Sequence, residues 1–133
     1  MAQLLYGTIT TAGTVTGSAV TVPYNVTVSG AAAIFTYGSS GTSAKLWLQT
    51  SIDNGVTYAD VASFAFTTSS ATKVAALGQP TFGTANFAPS DGALADNTIA
   101  AIPVGSLMRY KLISTGTYAG TTTLQLYTMD RRF

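Results

Sequence analysis

Twenty-three of the 133 residues are threonine and none is glutamate. That pairing of facts limits the fold more than any other feature of the chain. Threonine and valine carry two heavy substituents on Cβ, which fit a pleated surface and crowd a helix. Helix formers other than Ala and Leu are scarce, and Gly, Ser, Asn and Pro punctuate the chain at intervals suited to short strands. The sequence therefore predicts an all-β domain, an antiparallel β-sandwich or jelly-roll-like barrel of about eight strands. Its length suits one unit, residues 1–133, long enough to bury about two-thirds of the surface of the unfolded chain.

Individual strands follow from period-2 alternation. Tyr24, Val26 and Val28 alternate with Asn25, Thr27 and Ser29, and Pro23 stands at the start of that strand. A separate strand is expected from Ala31 to Tyr37, bounded by Gly30. Leu46, Leu48, Thr50 and Ile52 share one face, with Trp47, Gln49 and Ser51 on the other. Asp53-Asn54-Gly55 then supplies a tight hairpin turn, because Asn and Gly tolerate positive φ. The return strand carries Val56, Tyr58 and then the apolar run Val61 to Phe66. A short strand is expected over Lys73–Leu77, a long contact-making loop over Gln79–Leu94, and a helical turn or short strand over Ala93–Ala101. Met108, Tyr110 and Leu112 oppose Arg109 and Lys111, and Thr122, Leu124, Leu126 and Thr128 line an inner face. These last two segments read as a hairpin turning through Thr115–Gly120. Residues 1–17, rich in Gly and Thr, read as an extended N-terminal arm or an irregular edge strand.

Charged residues are 8% of the chain, against about 25% in an ordinary soluble domain. Little charge repulsion keeps copies apart, so partners are expected to cover part of the surface. A net charge of +1 gives no electrostatic footprint for nucleic acid. No apolar run approaches the roughly 18 residues of a membrane helix, and the first residues lack the basic start of a secretory leader. The chain has neither Cys nor His. That removes thiol chemistry, Ser-His-Asp arrangements and most zinc and copper sites. Asp53 with Asp60, or Asp91 with Asp96, are the available acid pairs, but Asp53 and Asp91 fall in turn sequences where Asp bonds its own backbone. Ile52–Gly55 resembles a fragment of a calcium loop without its closing Glu. No cofactor and no catalysis are expected. Trp47 reads as a contact anchor, as a sugar-stacking platform, or as part of a second buried face. Arg109, Lys111, Arg131 and Arg132 form a modest basic group.

Three segments carry a resemblance. Leu46 to Phe64 (LWLQTSIDNGVTYADVASF) resembles the "LQxSxDxGxTWxD(I/V)xxF" pattern of small virion structural proteins of tailed bacteriophages. Leu107 to Leu124 (LMRYKLISTGTYAGTTTL) resembles the "LRxKxxSTGTYAGxTTL" ending of the same proteins, and Asp91 to Thr98 (DGALADNT) lies between them as in that group. Tyr58 stands where the pattern has Trp. The resemblance implies a capsid decoration (cement) protein on the virion surface, made in the host cytoplasm. It would bind the major capsid protein as a dimer or trimer, with no nucleic acid or membrane partner. The alternative it leaves open is a tail-fibre or tail-associated module binding a host glycan through exposed aromatics near Trp47 or Tyr118. Expected partner contacts are Thr8, Thr10 and Val15 in the arm, Trp47 on its strand, Phe82 and Phe87 in the long loop, and Arg131, Arg132 and Phe133 at the C-terminus.

Overall fold

A computed structural model describes residues 2–10, 12–77, 88–100 and 102–132. Those residues form eleven strands and no helix: β1 (Ala2–Thr8), β2 (Gly13–Thr16), β3 (Val20–Thr21), β4 (Val26–Thr36), β5 (Ser39–Ser40), β6 (Ser43–Ser51), β7 (Tyr58–Phe66), β8 (Ala71–Ala76), β9 (Leu107–Thr115), β10 (Tyr118–Ala119) and β11 (Thr123–Arg132). Two antiparallel sheets face each other. Sheet A runs β1-β11-β4-β8, and sheet B runs β2-β9-β6-β7, with β3 also on β9. A two-stranded ribbon, β5-β10, closes one end. The sheets stay open, so the fold is a sandwich and not a barrel. The three two-residue strands β3, β5 and β10, which periodicity is too short to reveal, raise the count above eight.

The inner faces pack as alternation demands. Ala31, Ala33 and Phe35 of β4 and Leu124 and Leu126 of β11 meet Leu46 and Leu48 of β6, Phe64 and Phe66 of β7, and Met108 and Leu112 of β9. Phe35 stacks on Phe66 with ring centroids 5.0 Å apart and meets the edge of Tyr118 at 5.7 Å. Such contacts add about 1 kcal/mol each beyond burial of their area.

Three expectations are corrected. First, β4 does not break at Gly30 but runs unbroken through it. Gly30 is there for space: a Cβ would sit 3.0 Å from the Ala75 carbonyl oxygen and from the Met129 methyl. Second, the last two long strands are not a hairpin. β9 pairs with β6 in sheet B, while β11 pairs with β1 and β4 in sheet A. Gly116 (φ 75°), Gly120 (φ 64°) and Thr121 (φ 60°) turn the chain across the sandwich. Their side-chain alternation was legible, since alternation fixes a face and not a neighbour. Third, of the two readings of the N-terminal stretch, the irregular edge strand forms and the arm does not. β1 completes one edge of sheet A, β2 lies on β9 in sheet B, and Ile9 between them is buried in the core.

The Asp53-Asn54-Gly55 turn forms as expected, with Asn54 at φ 60° and Gly55 at φ 101°, but Val56 stays exposed in the loop and the return strand starts only at Tyr58. Residues 93–100 form neither a helical turn nor a strand; the described part ends in an isolated bridge from Ile99 to Ala62.

Candidate interaction surfaces

The outer face of sheet B carries a buried polar cluster. On β6, Gln49 has 0% of its surface exposed, and its cross-strand partner on β7, Asp60, has 2%. A buried carboxylate needs partners, and Asp60 is surrounded by them. It accepts hydrogen bonds from Gln49 Nε2 (2.8 Å), Ser90 Oγ (2.9 Å) and the backbone N–H groups of Gly92, Ala93 and Leu94 (2.9, 3.0 and 3.0 Å). Burial pushes the Asp60 carboxyl up, but the bonds from Gln49, Gly92, Leu94 and Ser90 outweigh it, and the group sits below the usual carboxylate range.

Gln49 joins this cluster to a second acid. The same Nε2 donates to Asp91 Oδ1 at 2.7 Å, while Gln49 Oε1 accepts from Arg109 Nε at 2.8 Å. Asp91 also pairs with Lys111 at 3.1 Å and Arg109 at 3.5 Å. The Gln49 bond holds the Asp91 carboxyl low, against a smaller effect of burial and with help from Lys111 and Arg109. Arg109 in turn lies over the Tyr58 ring, 3.8 Å from its centroid.

The consequence is a clasp. Segment 90–98 is drawn across the outer face of sheet B. Trp47 Nε1 donates to the Leu94 carbonyl (3.1 Å), Ser63 Oγ donates to the Ala95 carbonyl, and Lys45 pairs with Asp96 (3.3 Å). Trp47 is left 4% exposed, and Tyr118 is 2% exposed, so neither is a contact anchor or a glycan platform. The second-buried-face reading of Trp47 is the one the structure shows. The acids are similarly accounted for. Asp53 accepts from the Thr57 N–H within its own turn, which lowers its pKa, and it takes no part in the Asp60 network. No group of three potential metal-ligating side chains occurs among the described residues.

The clasp also closes an edge. A free sheet edge is a template for adding strands. Along β7, Asp60 N–H donates to Ser90 O, Ser63 N–H to Thr98 O, and Ala100 N–H to Val61 O. The other edges carry different safeguards. β1 is bulged between Gln3 and Leu5, and β2 and β3 are four and two residues long. β8 turns Lys73 inward, over the Phe66 ring and onto the Ala65 carbonyl and Asn97 Oδ1. A strand added there would bury that ammonium.

The outer face of sheet A has no cover of this kind among the described residues. Tyr6 and Val74 stand on it 66% and 67% exposed, and no charged side chain among those described shares it. At one end of the sandwich lies a groove of about 630 Å³ between Val22–Ser29, Leu77 and Ile102–Ser106, with a fully exposed Tyr24 at its rim.

The residues expected as partner contacts do not converge. Thr8, Thr10 and Val15 are exposed, and Thr8 pairs with Thr123 at the start of β11. The backbone at Arg131 and Arg132 lies at the far end of that strand, opposite Thr27 and Val26. Eight or nine strand residues make that separation about 30 Å. Arg109 and Lys111 are committed to Asp91 on the other sheet, so the four basic residues are not one group. Phe82, Phe87 and Phe133 lie outside the described residues. Sequence reading missed the Gln49–Asp60 cluster. Its signal was a Gln and an Asp on the non-core side of two paired strands, where a solvated face needs no uncharged amide.

No family model, no curated protein and no solved structure matches this chain.

Proposed function

We propose that this chain is a bacteriophage capsid decoration protein, which binds the outside of the assembled shell and bridges neighbouring major capsid subunits. The observation that carries the reading is spatial. The three segments that resemble small virion proteins, 46–64, 91–98 and 107–124, meet in one cluster, to which each contributes one or two polar residues. Gln49 and Asp60 come from the first segment, Asp91 from the second, and Arg109 and Lys111 from the third. Three short likenesses in sequence thus describe one structural unit. The strongly hydrogen-bonded state of Asp60 and Asp91 suits a structural role for both and no catalytic one.

Such a protein acts by mass action. Binding the assembled lattice and not the free subunit shifts the equilibrium toward the intact shell. The exposed Thr8, Thr10 and Val15 at one end, and the C-terminal strand at the other, are the contacts to examine first.

A cryo-EM map of purified virions tests the assignment. Density for this chain over the capsid's twofold or threefold axes, touching adjacent subunits, is the expected result. Density confined to the tail or fibres overturns it and favours the tail-associated, glycan-binding reading. That reading would then rest on Tyr24 and its groove, since Trp47 and Tyr118 are buried.

A further inference from the structure

We infer that Asn54-Gly55, at the tip of the β6–β7 hairpin, is a site of spontaneous deamidation that the turn's own hydrogen bonds, centred on Ser51, hold shut. Asn followed by Gly is the pair most open to this reaction, because glycine has no Cβ to crowd the attacking nitrogen. Both residues are exposed, so water reaches them.

The chemistry needs no group from outside the turn except water. The Gly55 backbone N–H gives its proton to water or hydroxide, and the nitrogen attacks Asn54 Cγ. A new N–Cγ bond closes a five-membered succinimide, the Cγ–Nδ2 bond breaks, and ammonia leaves with a proton from solvent. Water then adds to either ring carbonyl. One addition yields an aspartate, the other an isoaspartate whose main chain runs through the former side chain and is one carbon longer. Nothing is oxidised or reduced.

The structure opposes the first step in two ways. The φ values of 60° at Asn54 and 101° at Gly55 are those of a type I′ turn, which sets ψ of Asn54 at about +30°. That rotation carries the Gly55 nitrogen away from the Asn54 Cβ, whereas ring closure needs the two eclipsed. The nitrogen is also tied down. Gly55 N–H donates to Ser51 Oγ at 2.6 Å, and Ser51 is 6% exposed. The Ser51 hydroxyl is fixed in its turn, donating to the Thr57 carbonyl at 3.1 Å. Ile52 N–H donates to that same carbonyl, and Thr57 N–H donates to Asp53 Oδ1. Rotation of the Gly55 nitrogen toward Cγ therefore breaks its bond to Ser51.

The rate in the folded chain is then set by how often this turn opens. Ser51 serves two backbone partners, and losing both raises the open population about tenfold. The product matters to the fold because this turn joins β6 to β7, the strands that carry Gln49 and Asp60. An isoaspartate lengthens the connection between them.

Purified protein incubated at mildly alkaline pH, digested with trypsin and followed by mass spectrometry tests the inference. Cleavage after Lys45 and Lys73 releases one peptide, Leu46–Lys73, in which Asn54 is the single asparagine. Conversion of amide to acid is read from its mass, and separation of the two products from its chromatogram. Each rate is divided by that of the same variant in guanidinium, which removes effects of sequence alone. The folded parent should react at least about tenfold more slowly than the denatured chain, and Ser51→Ala should lose about tenfold of that protection. Far-UV dichroism and Trp47 emission establish that the variant is folded. If it is not, Asp53→Ala, which removes the exposed brace on Thr57, replaces it under the same criterion. A parent that reacts as fast folded as denatured, or a folded variant as well protected as the parent, overturns the inference.

Discussion

Gln49 and Asp60 are paired across β6 and β7 beside a register shift, and the Gln49 Nε2 donates to Asp60 Oδ1 at 2.8 Å. That one amide meets three groups of two kinds. Its nitrogen serves two carboxylates, Asp60 and Asp91, and its oxygen takes the guanidinium of Arg109. Only an amide offers donors on one side and an acceptor on the other. Glutamate, which the chain never uses, would put a third carboxylate among two.

Gln49→Glu and Asp60→Asn should therefore both be costly, for opposite reasons. The first sets a third carboxylate against Asp60 and Asp91 and removes the N–H₂ they share; the second turns an amide N–H₂ toward backbone N–H groups that need an acceptor. A loss of about 3 kcal/mol is expected for each. Urea unfolding of the two variants against the parent protein measures it, and a loss under about 1 kcal/mol would show that the cluster does not hold the fold.

Acid should release the clasp. Asp60 and Asp91 have folded pKa values below the ordinary 3.8. Their contribution to stability is fully present above that value and is lost as pH falls through the lower, folded one. Unfolding free energy should be level from about pH 7 to about pH 5 and fall below about pH 4. In Asp60→Asn the fall should be shallower, because Asp60 no longer titrates and only the lowered carboxyls of Asp91 and Asp53 remain. An equally steep fall in that variant would assign the acid sensitivity elsewhere.

Removing residues 1–17 should unfold the domain and not merely trim it. The deletion takes an edge strand from each sheet and uncovers the core around Ile9. Ile9→Ala isolates the packing part and should cost about 2 to 4 kcal/mol. Thermal melts of both variants decide the matter, and a cooperative melt of the truncated chain at the parent temperature would restore the picture of a detachable arm.

Much of the fold was legible because burial repeats with period two: the inner faces of β6, β9 and β11 are where alternation puts them. What alternation cannot specify is which strand lies beside which. β9 and β11 were read as neighbours because a Gly-rich turn joins them, yet that turn crosses between sheets. The clasp was hidden for a related reason. Trp47 and Gln49 share the side that alternation assigns to solvent, and the segment that covers them comes from some forty residues further on. No local pattern announces a cover brought from so far along the chain.

Glycine at position 38 should not be replaceable. A Cβ there would lie 2.1 Å from the Gly120 carbonyl oxygen and 2.4 Å from that of Ala119, where the β5–β10 ribbon crosses. Backbone cannot yield as a side-chain tip does. Gly38→Ala should cost about 2 to 3 kcal/mol, while Gly7→Ala, with nothing within 4 Å of its Cβ, should cost under about 1 kcal/mol. Equal melting temperatures for the two would contradict the close approach.

Trp47, the single tryptophan, should report the clasp by itself. Its ring lies under segment 90–98 with Nε1 bonded to the Leu94 carbonyl, and Asp60 holds that segment through three successive backbone N–H groups. Loosening Asp60 lets water reach the indole before the inner core of Phe35, Phe66 and Leu124 is disturbed, because that core is on the other side of the sheet. In Asp60→Asn, tryptophan emission should move to the red at neutral pH while far-UV dichroism stays unchanged. Acid should produce the same shift in the parent protein, ahead of global unfolding. Fluorescence and dichroism recorded on one acid titration test the order. Coincident transitions would mean that clasp and core open together and that segment 90–98 is part of one cooperative unit.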